Sequence, residues 1–196
     1  KSPTSFHAIA AMEEYMENAG VEKLSEGSVW NLKEGGTYYV TRNKSAIIAF
    51  HVPCKEFTGF NIAASHSDSP SLKIKEDPEM NVENQYVKLN VEKYGGMLCA
   101  PWFDRPLSVA GKIVVRRGEG VESRLVNVDR DLLMLPSLAI HMNRSVNDGY
   151  KYSVQKDMLP LLGDERAAGT FLDIVAGAAE VDKEDILGTD LFLYCR

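Results

Sequence analysis

The sequence predicts an α/β fold for its first part and a β-rich domain for the remainder, and three patterns carry this prediction. Apolar residues recur at helical spacing over residues 6–19. The runs 46–50 and 60–65 are apolar at successive positions, which is typical of strands covered on both faces. After Pro70, apolar residues alternate loosely with charged ones, as in antiparallel strands with one face in water.

The first part should contain one helix and then a hairpin. Ser2-Pro3-Thr4-Ser5 is a helix-start signature, and Gly20 is the expected stop. His7 falls inside this helix, where a packing or partly exposed histidine is the simpler interpretation than a ligand. Residues 21–30 indicate an irregular connection. The hairpin is predicted from strands 37–41 and 45–52, joined by a turn at residues 42–44.

The second part is predicted to be mostly strands. Strands 109–117 and 121–128 flank a Gly-Glu-Gly turn and form a hairpin. A helix over 171–181 and a final strand over 190–195 should follow. We expect the domain boundary between residues 77 and 78, where polar residues indicate a crossing between domains.

Composition excludes several classes of function. The chain has 196 residues, 44% of them hydrophobic, which is enough for one domain or two small ones with a core. A net charge of -6 argues against nucleic acid or an anionic membrane surface as a partner. No apolar run approaches the roughly 20 residues that span a bilayer. Three widely spaced cysteines favour a reducing compartment, and we expect a cytoplasmic protein.

A histidine and a carboxylate two positions apart follow the second apolar run. His66 and Asp68 would share one side of an extended segment, and Pro70 favours a strand that stops there. A neutral imidazole commonly binds a transition metal, and a nearby carboxylate can orient it. The functional interpretation is a metal ligand with a supporting acid at a strand end. From the residues alone, a polar strand end capped by Asp68 remains the alternative.

Two further motifs lie in the second part. The glycine pair 95–96 precedes Trp102-Phe103-Asp104-Arg105, which favours a tight backbone crossing fixed by hydrogen bonds from Asp104 and Arg105. A structural corner is the simpler interpretation than direct chemistry.

The second of these motifs is the segment 135–144, which predicts a short helix beginning near Pro136. It would place His141 and Arg144 one turn apart. Packing is the simpler interpretation of His141, and its catalytic alternative is donation to a developing oxyanion.

Six short segments, in this order, resemble the aspartyl aminopeptidase family of cytosolic zinc metallopeptidases. They are Ser2-Pro3-Thr4-Ser5-Phe6-His7-Ala8, Lys33-Glu34-Gly35-Gly36-Thr37-Tyr38-Tyr39-Val40-Thr41-Arg42-Asn43, His66-Ser67-Asp68-Ser69-Pro70, Tyr94-Gly95-Gly96, Trp102-Phe103-Asp104-Arg105 and Leu138-Ala139-Ile140-His141. The resemblance implies an α/β peptidase domain, here residues 1–77 with part of its sheet and helices. An inserted β-rich dimerisation domain, residues 78–196, would assemble the enzyme into large homo-oligomers.

The resemblance also implies roles for three residues. His66 becomes a ligand of one metal in a two-zinc site, and Asp68 the catalytic acid that orients a ligand or the metal-bound water. His141 becomes the catalytic histidine that reaches a neighbouring subunit's site and bonds the scissile carbonyl oxygen. The implied reaction is hydrolysis of N-terminal residues from peptides by a metal-activated water, with acidic residues as one candidate substrate class.

The departures from the family pattern concern mainly length. Ser67 stands where threonine is frequent and Pro106 where an acid is usual, and neither should touch the chemistry. The chain is about half the implied size, so the remaining ligands are expected beyond Arg196. As an N-terminal portion it should hold zinc weakly and be inactive.

A non-catalytic oligomerisation or binding module is the alternative function. A longer reading frame with further carboxylates and a late histidine would favour the peptidase. A natural stop after Arg196 would favour the module.

Overall fold

The computed structural model describes residues 2–196 and shows two compact units, one ending at Ser69 and the other starting at Pro70. The described residues of the first unit form one helix and three strands: α1 (Ser5–Asn18), β1 (Glu22–Leu24), β2 (Thr37–Arg42) and β3 (Ala46–His51). β2 is the middle strand, with β1 parallel and β3 antiparallel to it.

Helix α1 begins and ends as its sequence predicts. Thr4 is the N-cap, and its hydroxyl accepts a hydrogen bond from the His7 amide. Gly20, at a φ of +72°, follows the last turn in the left-handed conformation that glycine adopts easily. His7 is half-buried with its Nδ1 2.9 Å from the Thr4 hydroxyl, and burial lowers the pKa of its ring. The packing interpretation of His7 is therefore confirmed.

The predicted hairpin is confirmed as β2 and β3. Three residues, 43–45, join the strands, and two of them, Asn43 and Lys44, adopt positive φ. β1 was missed, because three residues are too few to show a periodic pattern. Its pairing with β2 places a strand inside the segment predicted to be irregular.

Tyr39 is the largest fully buried side chain of the first unit. Its hydroxyl donates a 3.0 Å hydrogen bond to the Glu17 carboxylate of α1, which ties the helix to the sheet. Burial, followed by the bond to Glu17, raises the pKa of Tyr39 from 10.0 to about 12. The folded state therefore keeps this proton at a higher pH than the unfolded chain does. The stabilising contribution is complete below pH 10.0 and is lost as the pH rises through about 12.

We expect the Tyr39→Phe chain to lose about 1 kcal/mol of stability at neutral pH, because the hydrogen bond to Glu17 is removed. Its stability should then fall less steeply than that of the wild type between pH 10.0 and 12. Urea unfolding across this range measures both effects. Tyr15→Phe is the matched control, since Tyr15 is 72% exposed. Equal slopes for the wild type and Tyr39→Phe would contradict the assignment.

The prediction that residues 46–50 are covered on both faces is wrong for the described chain. Ile48 is 66% exposed, and Ala46 and Ala49 are exposed as well. Only Ile47 and Phe50 of this run are partly buried, and the Phe50 ring lies against Tyr38. An apolar run shows that a strand is suited to burial, but the covering elements must come from elsewhere.

The second unit is built on one antiparallel sheet with the strand order β7-β6-β9-β4-β5-β8. Its elements are β4 (Ser71–Val82), β5 (Tyr86–Tyr94), β6 (Leu107–Arg117), β7 (Gly120–Asn127), α2 (Val154–Asp157), β8 (Leu161–Asp164), α3 (Phe171–Ala179) and β9 (Ile186–Cys195). The β6–β7 hairpin, α3 and the final strand confirm the predictions for this part. Phe171 and Val175 of α3 are fully buried in the same core as Leu107 and Leu191 of the sheet.

The first unit ends at Ser69, eight residues before the boundary expected between residues 77 and 78. The expected boundary lies inside β4. The polar residues there coincide with a shift in the β4–β5 register between Ile74 and Glu79. Past this irregularity, Glu79 accepts hydrogen bonds from the amides of Gly169 (2.6 Å) and Phe171 (2.8 Å). A carboxylate from the sheet therefore satisfies backbone donors at the start of α3. No helix in residues 2–196 is long and apolar enough to cross a membrane.

Candidate functional site

Residues 52–70, which contain His66 and Asp68, form a segment without helix or strand. The strand predicted over residues 60–65 is absent, and the prediction is wrong for a physical reason. Small residues dominate its second half, and no described strand lies alongside to pair with it, so Phe60 and Ile62 are 79% and 84% exposed.

Two hydrogen bonds, one near each end of this segment, hold it to residues elsewhere in the first unit. The Lys55 amide donates to the Glu34 carboxylate at 2.7 Å. The Ser67 hydroxyl donates to the carbonyl oxygen of Ser45, in the β2–β3 turn, at 3.1 Å. Because Ser67 lies between His66 and Asp68, this second bond fixes the backbone of the candidate site. No sequence pattern predicts this bond, since the acceptor is a main-chain carbonyl.

His66 and Asp68 do come together, although no strand places them. The Nδ1 of His66 lies 2.9 Å from the backbone oxygen of Asp68 and 3.4 Å from its carboxylate Oδ1. A carbonyl oxygen can only accept, so the bond requires a proton on Nδ1. In the neutral ring Nε2 is then the unprotonated nitrogen, and the His66 side chain is 81% exposed.

This arrangement fits one ligand of a metal site. A ligating histidine commonly donates its other ring proton to a carbonyl or a carboxylate, which fixes the tautomer and the ring orientation. Zinc requires three or four protein ligands. Within residues 2–196, however, no group of three or more His, Cys, Asp or Glu side chains is placed to hold a metal. The described residues therefore offer one side chain suited to bind a metal, with its supporting group, but not a complete site.

His141 lies in the second unit, on an exposed turn. The helix predicted from Pro136 is absent, and this prediction is wrong because residues 136–142 are all exposed, so no packing against the core supports a helix there. Met134 pairs with Leu161 of β8, and the Ser137 amide donates to the Asp104 carboxylate at 2.9 Å. Around His141, the amides of Met142 and Asn143 bond carbonyl oxygens only three residues back, which forms turns.

Comparisons with known proteins identify the chain. The sequence model of the aminopeptidase I zinc metalloprotease family, M18, matches residues 1–195. A probable M18 family aminopeptidase 2 from Clostridium novyi is 42% identical over 99% of this chain and 47% of its own length. The chain spans about half the length of the curated relatives it matches.

Solved structures agree with this assignment. Ape4, in a cryo-EM structure of the Ape4 and Nbr1 complex, superposes with a TM-score of 0.93 at 34% identity, over 99% of this chain and 42% of that one. The S. cerevisiae mApe1 dodecamer shares the fold, with a TM-score of 0.75 at 24% identity over 100% of this chain and 45% of its own. The α/β fold expected from the sequence is confirmed by these similarities. Because the family model matches nearly all of its residues, the chain belongs to the M18 family of zinc metallopeptidases.

Proposed function

We propose that this chain supplies one zinc ligand, its supporting acid and the assembly domain of an aminopeptidase that removes N-terminal residues from peptides. The observation that carries the proposal is the exposed His66 ring held by Asp68, in a chain that the M18 family model matches over residues 1–195. We assign the first unit to the peptidase domain and the second to the dimerisation domain.

Each of the three site residues has a distinct part in this proposal. His66 would hold zinc through Nε2, while Asp68 fixes the ring through its backbone oxygen and its carboxylate. Two zinc ions per site would polarise the scissile carbonyl and lower the pKa of the attacking water. His141, exposed on its turn, would donate a hydrogen bond to the substrate's carbonyl oxygen at a neighbouring subunit's site as charge develops there.

We also propose the substrate class, the assembly and the compartment. The resemblance to aspartyl aminopeptidases supports peptides with acidic N-terminal residues as substrates. The dodecamer formed by mApe1 supports a homo-oligomer assembled through the second unit. The three cysteines of the chain are all free thiols in the described structure, which suits the cytoplasm.

The test compares zinc binding and activity of this chain with those of a full-length enzyme that contains it. We expect this chain to bind zinc with a dissociation constant above about 10 μM, because a single histidine cannot form a closed site. It should hydrolyse no aminoacyl p-nitroanilide. The full-length enzyme should retain zinc through dialysis and cleave the aspartyl and glutamyl substrates faster than the leucyl one. Calorimetry, metal analysis and absorbance assays measure these results.

Three outcomes would contradict parts of this proposal. Tight stoichiometric zinc together with turnover by this chain alone would contradict the partial site. An inactive full-length enzyme, loaded with zinc, would contradict the aminopeptidase and favour a binding module. Faster cleavage of the leucyl substrate would contradict only the preference for acidic residues. The His66→Ala chain is the control, and its residual zinc binding measures the contribution of other surface groups.

A further inference from the structure

Residues 100–105 form a corner of the chain. This corner contacts the residues just before and just after an exposed segment, residues 138–149, which carries His141. This segment contains turns and the short 3-10 helix Val146–Asp148, and it has no strand. Leu138, His141 and Met142 are all exposed. The position of His141 therefore depends on how the chain is held before and after the segment.

Asp104 holds the chain before the segment. Its backbone amide donates to the Leu135 carbonyl at 2.9 Å, and its carboxylate accepts from the Ser137 amide, also at 2.9 Å. The bond from the Ser137 amide, followed by a further one from the Ser137 hydroxyl, lowers the pKa of the Asp104 carboxyl. Asp104 has a φ of +55°, a conformation disfavoured for residues with a Cβ but tolerated by aspartate and asparagine. This backbone conformation lets one residue bond the chain at two points.

The adjacent residue, Phe103, contacts the chain after the segment. Its ring centroid lies 5.1 Å from that of Tyr152, and Tyr152 in turn meets Tyr150 edge to face at 5.1 Å. The Tyr150 hydroxyl donates to Asp157 at 3.1 Å, and the same carboxylate accepts from the Ser153 amide. Two consecutive residues of the corner therefore hold both ends of the segment that presents His141.

We propose that Asp104 is a positioning residue for His141, and this inference rests on the function proposed above. The Asp104 side chain is exposed, and the hydrogen bonds that its carboxylate accepts come from Ser137. It therefore adds little to the buried core, and its main effect is to fix where the His141 segment begins. Through this contact it sets the position from which His141 reaches the substrate's carbonyl oxygen.

The test is a double-mutant cycle in the full-length enzyme. Asp104→Ala should lower kcat about tenfold and change KM less than twofold, since a small displacement of a catalytic group costs rate more than binding. Asp104→Asn keeps an oxygen that can accept from Ser137, and it should restore kcat to within about threefold of the wild type. The Asp104→Ala change should have no further effect in a His141→Ala background, because both changes remove one interaction.

Hydrogen exchange of the same enzymes gives a readout that does not depend on activity. The Ser137 amide should exchange about fivefold faster in Asp104→Ala, because its acceptor is lost. Asp129→Ala is the matched control, since Asp129 is also an exposed aspartate at positive φ, paired instead with Arg196. It should change neither kcat nor the exchange of Ser137.

The outcomes separate the two proposals. If His141→Ala lowers kcat while Asp104→Ala leaves both kcat and Ser137 exchange unchanged, the positioning role is overturned and the role of His141 stands. Independent effects of Asp104→Ala and His141→Ala that multiply would also overturn it, because Asp104 would then act on stability or on another group. Unchanged kcat in His141→Ala would overturn the proposed function of His141 and the positioning role with it.

Discussion

Replacing Gly111 with alanine is expected to destabilise the second unit by about 3 kcal/mol or more. Gly111 lies in β6 opposite Leu191 of β9, and β6 is paired on both sides, with β7 and β9. A Cβ at this position would lie 2.1 Å from the backbone oxygen of Asp190 and 2.9 Å from the Cα of Leu191. Backbone atoms cannot rotate away as a side chain can, so β6 and β9 would have to separate.

Urea unfolding measures this effect, with far-UV circular dichroism for the sheet and, in a Trp30→Phe background, Trp102 fluorescence for the second unit. Gly188→Ala is the matched control, because Gly188 lies in β9 and a Cβ there would meet no atom within 4 Å. That variant should stay within about 0.5 kcal/mol of the wild type. A Gly111→Ala chain as stable as Gly188→Ala would show that the β6–β9 pairing differs from the one described.

Replacing His66 with alanine in the full-length enzyme is expected to lower kcat/KM about a thousandfold, with loss of bound zinc. Removing a ligand forfeits several kcal/mol of transition-state stabilisation by the metal, and each 1.4 kcal/mol, roughly, corresponds to a factor of ten in rate. Asp68→Asn should have a smaller effect of about ten- to a hundredfold, because the backbone bond to His66 remains. Metal analysis after dialysis and steady-state kinetics measure both variants.

His51→Ala is the matched control for this experiment. His51 is an exposed histidine of the same unit, and its Nδ1 lies 3.0 Å from the Thr37 hydroxyl across the β2–β3 pair. Its replacement should leave the zinc content and kcat/KM unchanged. Equal effects of His51→Ala and His66→Ala would indicate general destabilisation of the first unit. Full zinc content and activity in His66→Ala would refute its role as a ligand.

Local signals in the sequence predicted the elements that depend mainly on local chemistry. Helix α1 begins after Thr4 and ends before Gly20, and both residues are typical of those positions. The hairpin turn contains Asn43, a residue that tolerates positive φ. In the second unit, two alternating runs around the Gly-Glu-Gly turn predict the β6–β7 hairpin. Their order in the sheet was not predictable, because β9 inserts between β4 and β6 through contacts distant in the chain.

The predictions that failed depended on partners that a single sequence does not show. Residues 60–65 are apolar enough for a buried strand, but a strand also needs a neighbour that accepts and donates hydrogen bonds. The segment 135–144 has the composition of a helix, but residues 136–142 are all exposed, so no packing against the core supports one. The pairing of His66 with Asp68 was predicted correctly, although a turn-like backbone bond produces it instead of strand alternation.

The carboxylate that bonds the start of α3 comes from Glu79, 90 residues before Gly169 in the chain. The first turn of α3 therefore depends on an acceptor that β4 provides from the sheet. With nine residues, α3 is also shorter than isolated helices that are stable in water. We therefore expect α3 and the sheet to unfold together as one cooperative unit, and α3 alone to be unfolded in water.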